Sequence, residues 1–277
     1  MPGDSPDPLF VEARRGLLDA LVALGSHGAM AVLVGAQAIY LHTEDFVTGV
    51  ALMTKDADVM LIPPIAPAPD IQASMLAAGF QSGSQPGIWL SGQRQVDLLV
   101  PDRMAASGGR RAARLEGHGE RTARKVSGLE GAAIDNAPRV VRAFDVTDRR
   151  AIQVRVAGPA ALLVSKAYKL HERAGESEQR RLDNKDAFDT YRLLRLPIER
   201  LMPGFRVMAS DVRSADVART GITAIAELFE SASSLGSTMA GQYVQGVGDP
   251  ENIRASVAAL AGDLLIALRL EGLASGA

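Results

Sequence analysis

Apolar residues recur at helical spacing between Val11 and Leu24, at Leu17, Leu18, Leu21, Val22 and Leu24, and Gly25 follows where a helix stops. Ala29–Val34 is a short apolar run rich in β-branched residues, which predicts a buried strand; Gly35 ends it, and 36–42 predicts a helix. A second strand is predicted over Asp56-Ala57-Asp58-Val59-Met60-Leu61-Ile62, stopped by Pro63-Pro64. Residues 63–69 hold four prolines and read as a loop. Asp70 is then a suitable N-cap for a helix over 71–78 closed by Gly79. Two further strands, 87–90 and 94–100, flank a Ser91-Gly92 turn.

The pattern then changes. Residues 101–136 are rich in Gly, Ala and Arg without a sustained apolar period, and predict a mobile or partly helical excursion. Alternation returns over 140–146 and 151–156, a hairpin joined through Asp148-Arg149-Arg150. Pro159 at a helix N1 position opens a strong helix over 160–173, a polar loop covers 174–181, and a helix follows over 183–194. Two more helical patterns, 215–231 and 251–270, occupy the remainder, and no internal repeat is present. The order predicts an α/β (α+β) protein: a mixed sheet with flanking helices over 1–157, then a helical domain over 158–277.

Composition narrows the chemistry. The 277 residues carry a formal net charge of −2, so an argument for nucleic acid has to be local. With no cysteine, disulfides, thiolate metal sites and a cysteine nucleophile are excluded. The arm Met1-Pro2-Gly3-Asp4-Ser5-Pro6-Asp7-Pro8 is unlike a signal peptide, and no apolar run reaches the roughly 18 residues of a membrane span. A cytoplasmic protein with no membrane partner is the expectation. Five of the 30 basic residues are lysine, which makes each lysine a scarce side chain here.

Three features carry candidate chemistry. Val34-Gly35-Ala36-Gln37 runs a strand into a glycine at the head of a helix, where unpaired N–H groups suit a phosphate. Asp56 and Asp58 alternate on one strand, so both carboxylates project to one face and repel unless a cation lies between them. Asp97 is an acid within the apolar strand 94–100, costly unless paired or metal-bound. On adjacent strands the three acids would form a two-metal site for in-line phosphoryl or nucleotidyl transfer, with Mg²⁺ as the hard cation of choice. In the second half, Lys166, Lys169 and Arg173 fall on one helix face, and Asp186 and Asp189 share a face of the next helix. Arg103, Arg110, Arg111, Arg114, Arg121, Arg124 and Lys125, opposed by Glu116 and Glu120, give the stretch 103–125 a net charge of +5, enough to attract RNA phosphates. His42 and Trp89 are candidates for substrate contact or for core.

These motifs resemble the nucleotidyltransferase superfamily that includes DNA polymerase β: Gly35-Ala36 at the helix start, Asp56 with Asp58, and Asp97 on a later strand. The sequence departs from that family at Ala36, where serine or a second glycine is usual. Leu162–Arg173 followed by Asn184–Asp189 resembles the AbiEii/AbiGii-type toxin nucleotidyltransferases, MenT-like proteins included. The resemblance implies transfer of a nucleoside monophosphate from an NTP to an acceptor hydroxyl. Asp56, Asp58 and Asp97 would hold two Mg²⁺ ions, and Lys166 with Asp186 would complete the catalytic set. Gly35, Ala36, Gln37, Lys55, Lys169 and Arg173 would contact the nucleotide. It implies a tRNA 3′ end or other RNA as acceptor and a cognate antitoxin as partner. A small-molecule acceptor of aminoglycoside type, or a non-catalytic nucleotide-binding protein, are the alternatives.

Overall fold

The computed structural model describes residues 7–46, 50, 52–106, 111–175 and 182–274. Most of the N-terminal arm, Arg110 and most of the loop expected over 174–181 lie outside them. The chain divides into two compact units, Met1–Tyr40 with Ala51–Ala157, and Leu41–Val50 with Gly158–Ala277. The ten residues 41–50 thus belong with the C-terminal unit.

In chain order the first unit contains α1 (Pro8–Leu24), β1 (Ala31–Val34), the start of α2 (Gly35–His42), β2 (Asp56–Leu61), α3 (Ile71–Ala77), β3 (Gln81–Ser82), β4 (Ile88–Ser91), β5 (Arg94–Pro101), β6 (Arg124–Val126), β7 (Asn136–Arg142) and β8 (Ala151–Ala157). They form one mixed sheet of order β3-β4-β5-β2-β1-β8-β7, with β6 added beside β5. The central strands are short and apolar, as burial on both faces requires: all four residues of β1 are buried. Asp7 caps α1 by accepting the Leu9 N–H at 2.8 Å. This helix lies on the sheet face to which Arg94 points, where Asp19 and Glu12 both pair with the Arg94 guanidinium. Gln95 and Asp97 point to the opposite face.

The described residues of the excursion, 101–106 and 111–136, are folded rather than mobile. Its β6 pairs parallel with β5, Leu99 opposite Arg124, and Lys125 N–H donates to the Arg111 carbonyl at 2.8 Å. Three buried polar contacts hold it. Trp89, fully buried, donates its indole N–H to the Thr122 carbonyl at 3.0 Å, so this residue is core and not a substrate contact. Glu130, also fully buried, accepts the N–H groups of Arg103 and Gly128. His118 accepts the Ile71 N–H at 3.1 Å through Nδ1, and its Nε2 lies 3.0 Å from the Ala66 carbonyl. A period-based search misses this segment because its order comes from such pairings and not from an amphipathic face.

Strand β5 changes partners halfway along one edge, from β4 (antiparallel, residues 94–97) to β6 (parallel, from Leu99). Gly87 sits at the changeover, donating to the Arg121 carbonyl and accepting the Leu98 N–H. Its φ is +78°, and a Cβ there would fall 2.4 Å from the Leu98 oxygen and 2.7 Å from the Arg124 nitrogen.

The second unit packs α4 (Pro159–Gly175), α5 (Asn184–Leu194), α6 (Ile198–Ser210), α7 (Ala215–Phe229), α8 (Leu235–Tyr243) and α9 (Pro250–Leu270), with α4 against α5, α6 and α7. Helices α6 and α8 have no counterpart in the sequence pattern. Pro203 lies inside α6, and α8 carries Gly236 and Gly241 in nine residues; both are helical because neighbouring helices cover them. Around α5, Phe188 packs against Tyr191 and Tyr243, and the buried Arg192 lies over the Phe188 ring and donates to the Val50 carbonyl at 3.2 Å.

Gly87→Ala is expected to destabilise the first unit by about 2 kcal/mol or more, since it adds left-handed strain to a backbone clash. A urea or thermal midpoint for the variant equal to that of the native chain would count against this role for Gly87.

Candidate functional site

The turn from β1 into α2 and the strand β2 meet at the site. Val34 is the register partner of Asp58 on antiparallel strands, which brings the Asp58 carboxylate against the next residue, Gly35. A Cβ at position 35 would lie 2.0 Å from Asp58 Oδ2, and the glycine φ is +66°. Only glycine meets both conditions. The first turn of α2 therefore starts beside an acid at the half-buried Gly35, with Ala36 and Gln37 tucked against the sheet at 6% and 1% exposure.

Gln37 takes a role different from the expected nucleotide contact. Its side chain is buried: Oε1 accepts from Arg14 Nε at 2.8 Å, and Nε2 donates to the Asp56 carbonyl at 3.2 Å. What Gln37 can offer a ligand is its backbone N–H; its amide ties α2 to the acid-bearing strand. Arg14, which sequence inspection did not single out, holds that amide. It lies buried on α1, over the rings of Phe144 (4.3 Å) and Phe10 (5.7 Å), and donates to the Arg142 carbonyl. The signal available was an arginine on the apolar stripe of an amphipathic helix, one turn from Phe10 and Leu17.

Strand β2 pairs parallel with β5, Asp56 opposite Gln95 and Asp58 opposite Asp97. Register partners in a sheet share a face, so Asp56, Asp58 and Asp97 all project to the face opposite α1. Asp56 accepts from Thr54 Oγ1 at 2.7 Å. Lys55 is exposed. Asp97 is 4% exposed and both its oxygens are engaged: Oδ1 accepts from Gln95 Nε2 at 3.0 Å and Oδ2 from Arg124 at 2.5 Å. Burial pushes the Asp97 carboxyl above the usual carboxylate range, Arg124 and Gln95 pull it down, and the charge of Asp56 pushes it up again. Asp97 was expected as a third metal ligand; the structure gives it an arginine as its partner. Among the described residues no three carboxylate or imidazole groups converge closely enough to hold a metal ion together. Asp56 and Asp58, aligned on one face beside a helix start, are the pair whose donor chemistry suits a divalent cation completed by phosphate oxygens.

In the second unit the scarce lysines gather on two aspartates. Lys166 on α4 donates to Asp186 at 2.6 Å and to Asp189 at 2.9 Å, both on α5. Lys169 adds a contact to Asp186 at 2.7 Å, Arg173 one at 3.5 Å, and Lys185 pairs with Asp189 at 3.1 Å. Burial favours the neutral form of Lys166, but Asp186 and Asp189 outweigh it and hold the ammonium well above the usual lysine range. Burial likewise opposes ionisation of Asp186, and Lys166 with Lys169 overcome it, leaving this carboxyl well below the aspartate range. The Lys166 side chain is 9% exposed, whereas those of Lys169 and Arg173 are 41% and 30% exposed. The pair with access to solvent is therefore Lys169 and Arg173, with Lys166 as the buried keystone between α4 and α5.

Of the basic stretch, Arg121 is spent on Ser82 and the Gly83 carbonyl, Arg124 on Asp97, and Lys125 lies 3.7 Å from Asp102. Arg111 and Arg114 are exposed.

No family model and no curated protein matches the chain. Among solved structures it is similar to JHP933 from Helicobacter pylori, with 12% identity over 97% of each chain and a TM-score of 0.43. At that distance the function has to be argued from the site alone.

Asp186→Asn removes one partner of a buried ionic cluster and is expected to cost about 3–5 kcal/mol, read as a lower urea midpoint. Because the Asp186 carboxyl is held below its ordinary value of 3.8, its contribution is complete above that pH and fades as acid is added below it. The variant should lose that part of the acid dependence, and a native and a variant profile that stay parallel from pH 6 to pH 2 would refute the assignment.

Proposed function

We propose that the protein is a divalent-metal-dependent nucleotidyltransferase that moves a nucleoside monophosphate from an NTP to an acceptor hydroxyl. The observation that carries this is the contact of the Asp58 carboxylate with Gly35, which puts two aligned carboxylates beside the N-terminal turn of α2. Phosphates need both halves of that arrangement: N–H groups with positive dipole on one side, and acids that recruit a cation on the other. Mg²⁺ held by Asp56 and Asp58 would supply charge neutralisation and polarisation at the α-phosphate.

The remaining roles fall to the chain itself. The Gly35, Ala36 and Gln37 N–H groups would receive phosphate oxygens, and Gln37, held by Arg14, keeps that turn in place on β2. In the transfer the acceptor oxygen bonds to the α-phosphorus while the bond to the pyrophosphate oxygen breaks. The acceptor proton leaves to solvent or to the departing pyrophosphate and not to Asp186, whose carboxyl is held ionised by three cations and is a weak base for that reason. Asp186 instead orders Lys169 and Arg173, the cations we assign to phosphate. RNA is the acceptor class proposed, a tRNA 3′ end being the specific case, and its support is narrower than the charge count suggested. Arg111 and Arg114 are the exposed guanidinium groups available for it. A toxin role with an antitoxin partner belongs to the same proposal.

The test is incorporation of label. The protein is incubated with Mg²⁺, each α-labelled NTP and total tRNA, beside Asp58→Asn. Label on RNA that falls on the order of 10²–10³-fold in the variant is expected. Absence of label together with NTP binding that ignores both Mg²⁺ and the substitution would overturn the assignment.

A further inference from the structure

The resemblance called for three acids and two ions, and one of those acids is already matched with a cation that the chain supplies. We infer that Arg124 takes the place of a second metal ion, so that the proposed centre works with a single divalent ion on Asp56 and Asp58. This inference rests on the proposed function and concerns how its charge is provided.

Three observations lead there. First, both oxygens of Asp97 are occupied, by Gln95 at 3.0 Å and by Arg124 at 2.5 Å, in a side chain only 5% exposed. A hydrated ion would have to lose water and displace a guanidinium from a nearly buried carboxylate, and Mg²⁺ gives up its water reluctantly. Second, Arg124 is not carried on a loose arm. Its backbone is paired with Leu99 of β5 and bridged to Ala112, and Gly87 packs against its nitrogen so closely that no Cβ fits. The register places Arg124 on the same face as Leu99, and therefore as Asp97, two residues earlier on β5. The guanidinium is delivered by the sheet. Third, Asp97 is the register partner of Asp58 on the neighbouring strand, so the Arg124 guanidinium bound to it lies beside the acidic face that Asp56 and Asp58 share.

A guanidinium and a divalent ion do different work. Arginine stays charged at any physiological pH, needs no free-metal concentration, and presents N–H donors in a fixed fork. With 25% of its side chain exposed, Arg124 can donate to a phosphate oxygen while it still holds Asp97. It cannot lower the pKa of a bound hydroxyl as a metal does, so activation of the acceptor does not run through Asp97.

The experiment counts ions. Mn²⁺ binding to the full chain is measured by equilibrium dialysis and by the electron paramagnetic resonance of free Mn²⁺, with a non-hydrolysable NTP analogue at saturation. The native chain should hold one Mn²⁺, Asp58→Asn should lose it, and Asp97→Asn should keep it, with an affinity lowered only by the loss of one neighbouring negative charge. Arg124→Met should gain a second Mn²⁺ by freeing Asp97, and Arg124→Lys should stay at one. Circular dichroism reports whether Arg124→Met folds; should it fail to fold, Asp97→Asn and Arg124→Lys decide. Two ions in the native chain, loss of the ion in Asp97→Asn, or a count of one in folded Arg124→Met overturns the role given to Arg124 and leaves the transferase proposal standing. No Mn²⁺ binding by the native chain with the analogue overturns the metal-dependent function and this inference with it.

Discussion

The first unit is organised by the need to keep negative charge on a sheet whose strands are otherwise apolar. Each acid on the face opposite α1 has its own remedy. Asp56 accepts from Thr54, Asp58 lies in the space that a missing Cβ leaves at Gly35, and Asp97 takes an arginine. These remedies dictate neighbouring residues in turn. Position 35 has to be glycine, position 87 has to be glycine for β6 to reach β5, and Gln37 has to be anchored for α2 to hold its angle. An unpartnered carboxylate at any of these depths would cost several kcal/mol, a large share of the stability of an ordinary domain. The candidate chemistry and the folding constraint are thus the same set of atoms.

The second unit solves a related problem with a different geometry. Its acids sit on a helix, and their partners come from the facing helix at successive turns, so one lysine serves two aspartates and one aspartate serves three cations. Such a cluster stabilises less than apolar packing of the same volume, but breaking any part strands the rest. It specifies the register of α4 on α5 more sharply than leucine and alanine contacts do, because a slip of one residue would separate every pair.

Much of this was legible in the sequence, for identifiable reasons. Strands β1, β2 and β5 announce themselves by short apolar runs, and the shared face of Asp56 and Asp58 follows from the two-residue period of a strand. Gly35 stands out because it follows a strand and opens a helix. The pairing of Asp58 with Asp97 is a matter of non-local register, which no local pattern encodes. Arg124 was one basic residue among seven until β6 placed it, since the tripeptide Arg-Lys-Val has no alternation to mark it as a strand. The hairpin was displaced: β7 ends at Arg142 where the alternation suggested a strand as far as Val146, because Asp145 and Asp148 turn the connection by accepting backbone N–H groups. Arg14 was hidden for the opposite reason, as a charge inside a pattern that reads as purely apolar.

The assignment of residues 41–50 to the helical unit has a consequence for how this protein can be divided. Val50 gives its carbonyl to Arg192, and Phe46 lies under the Arg195 guanidinium, so the second unit draws on chain that is spelled before β2. A cut at Gly158 would therefore yield a C-terminal fragment short of that segment, and an N-terminal fragment would carry Phe46 and Val50 without their partners Arg195 and Arg192. A gene that recombined at the apparent boundary would transmit the first unit whole and the second without the segment spelled before β2.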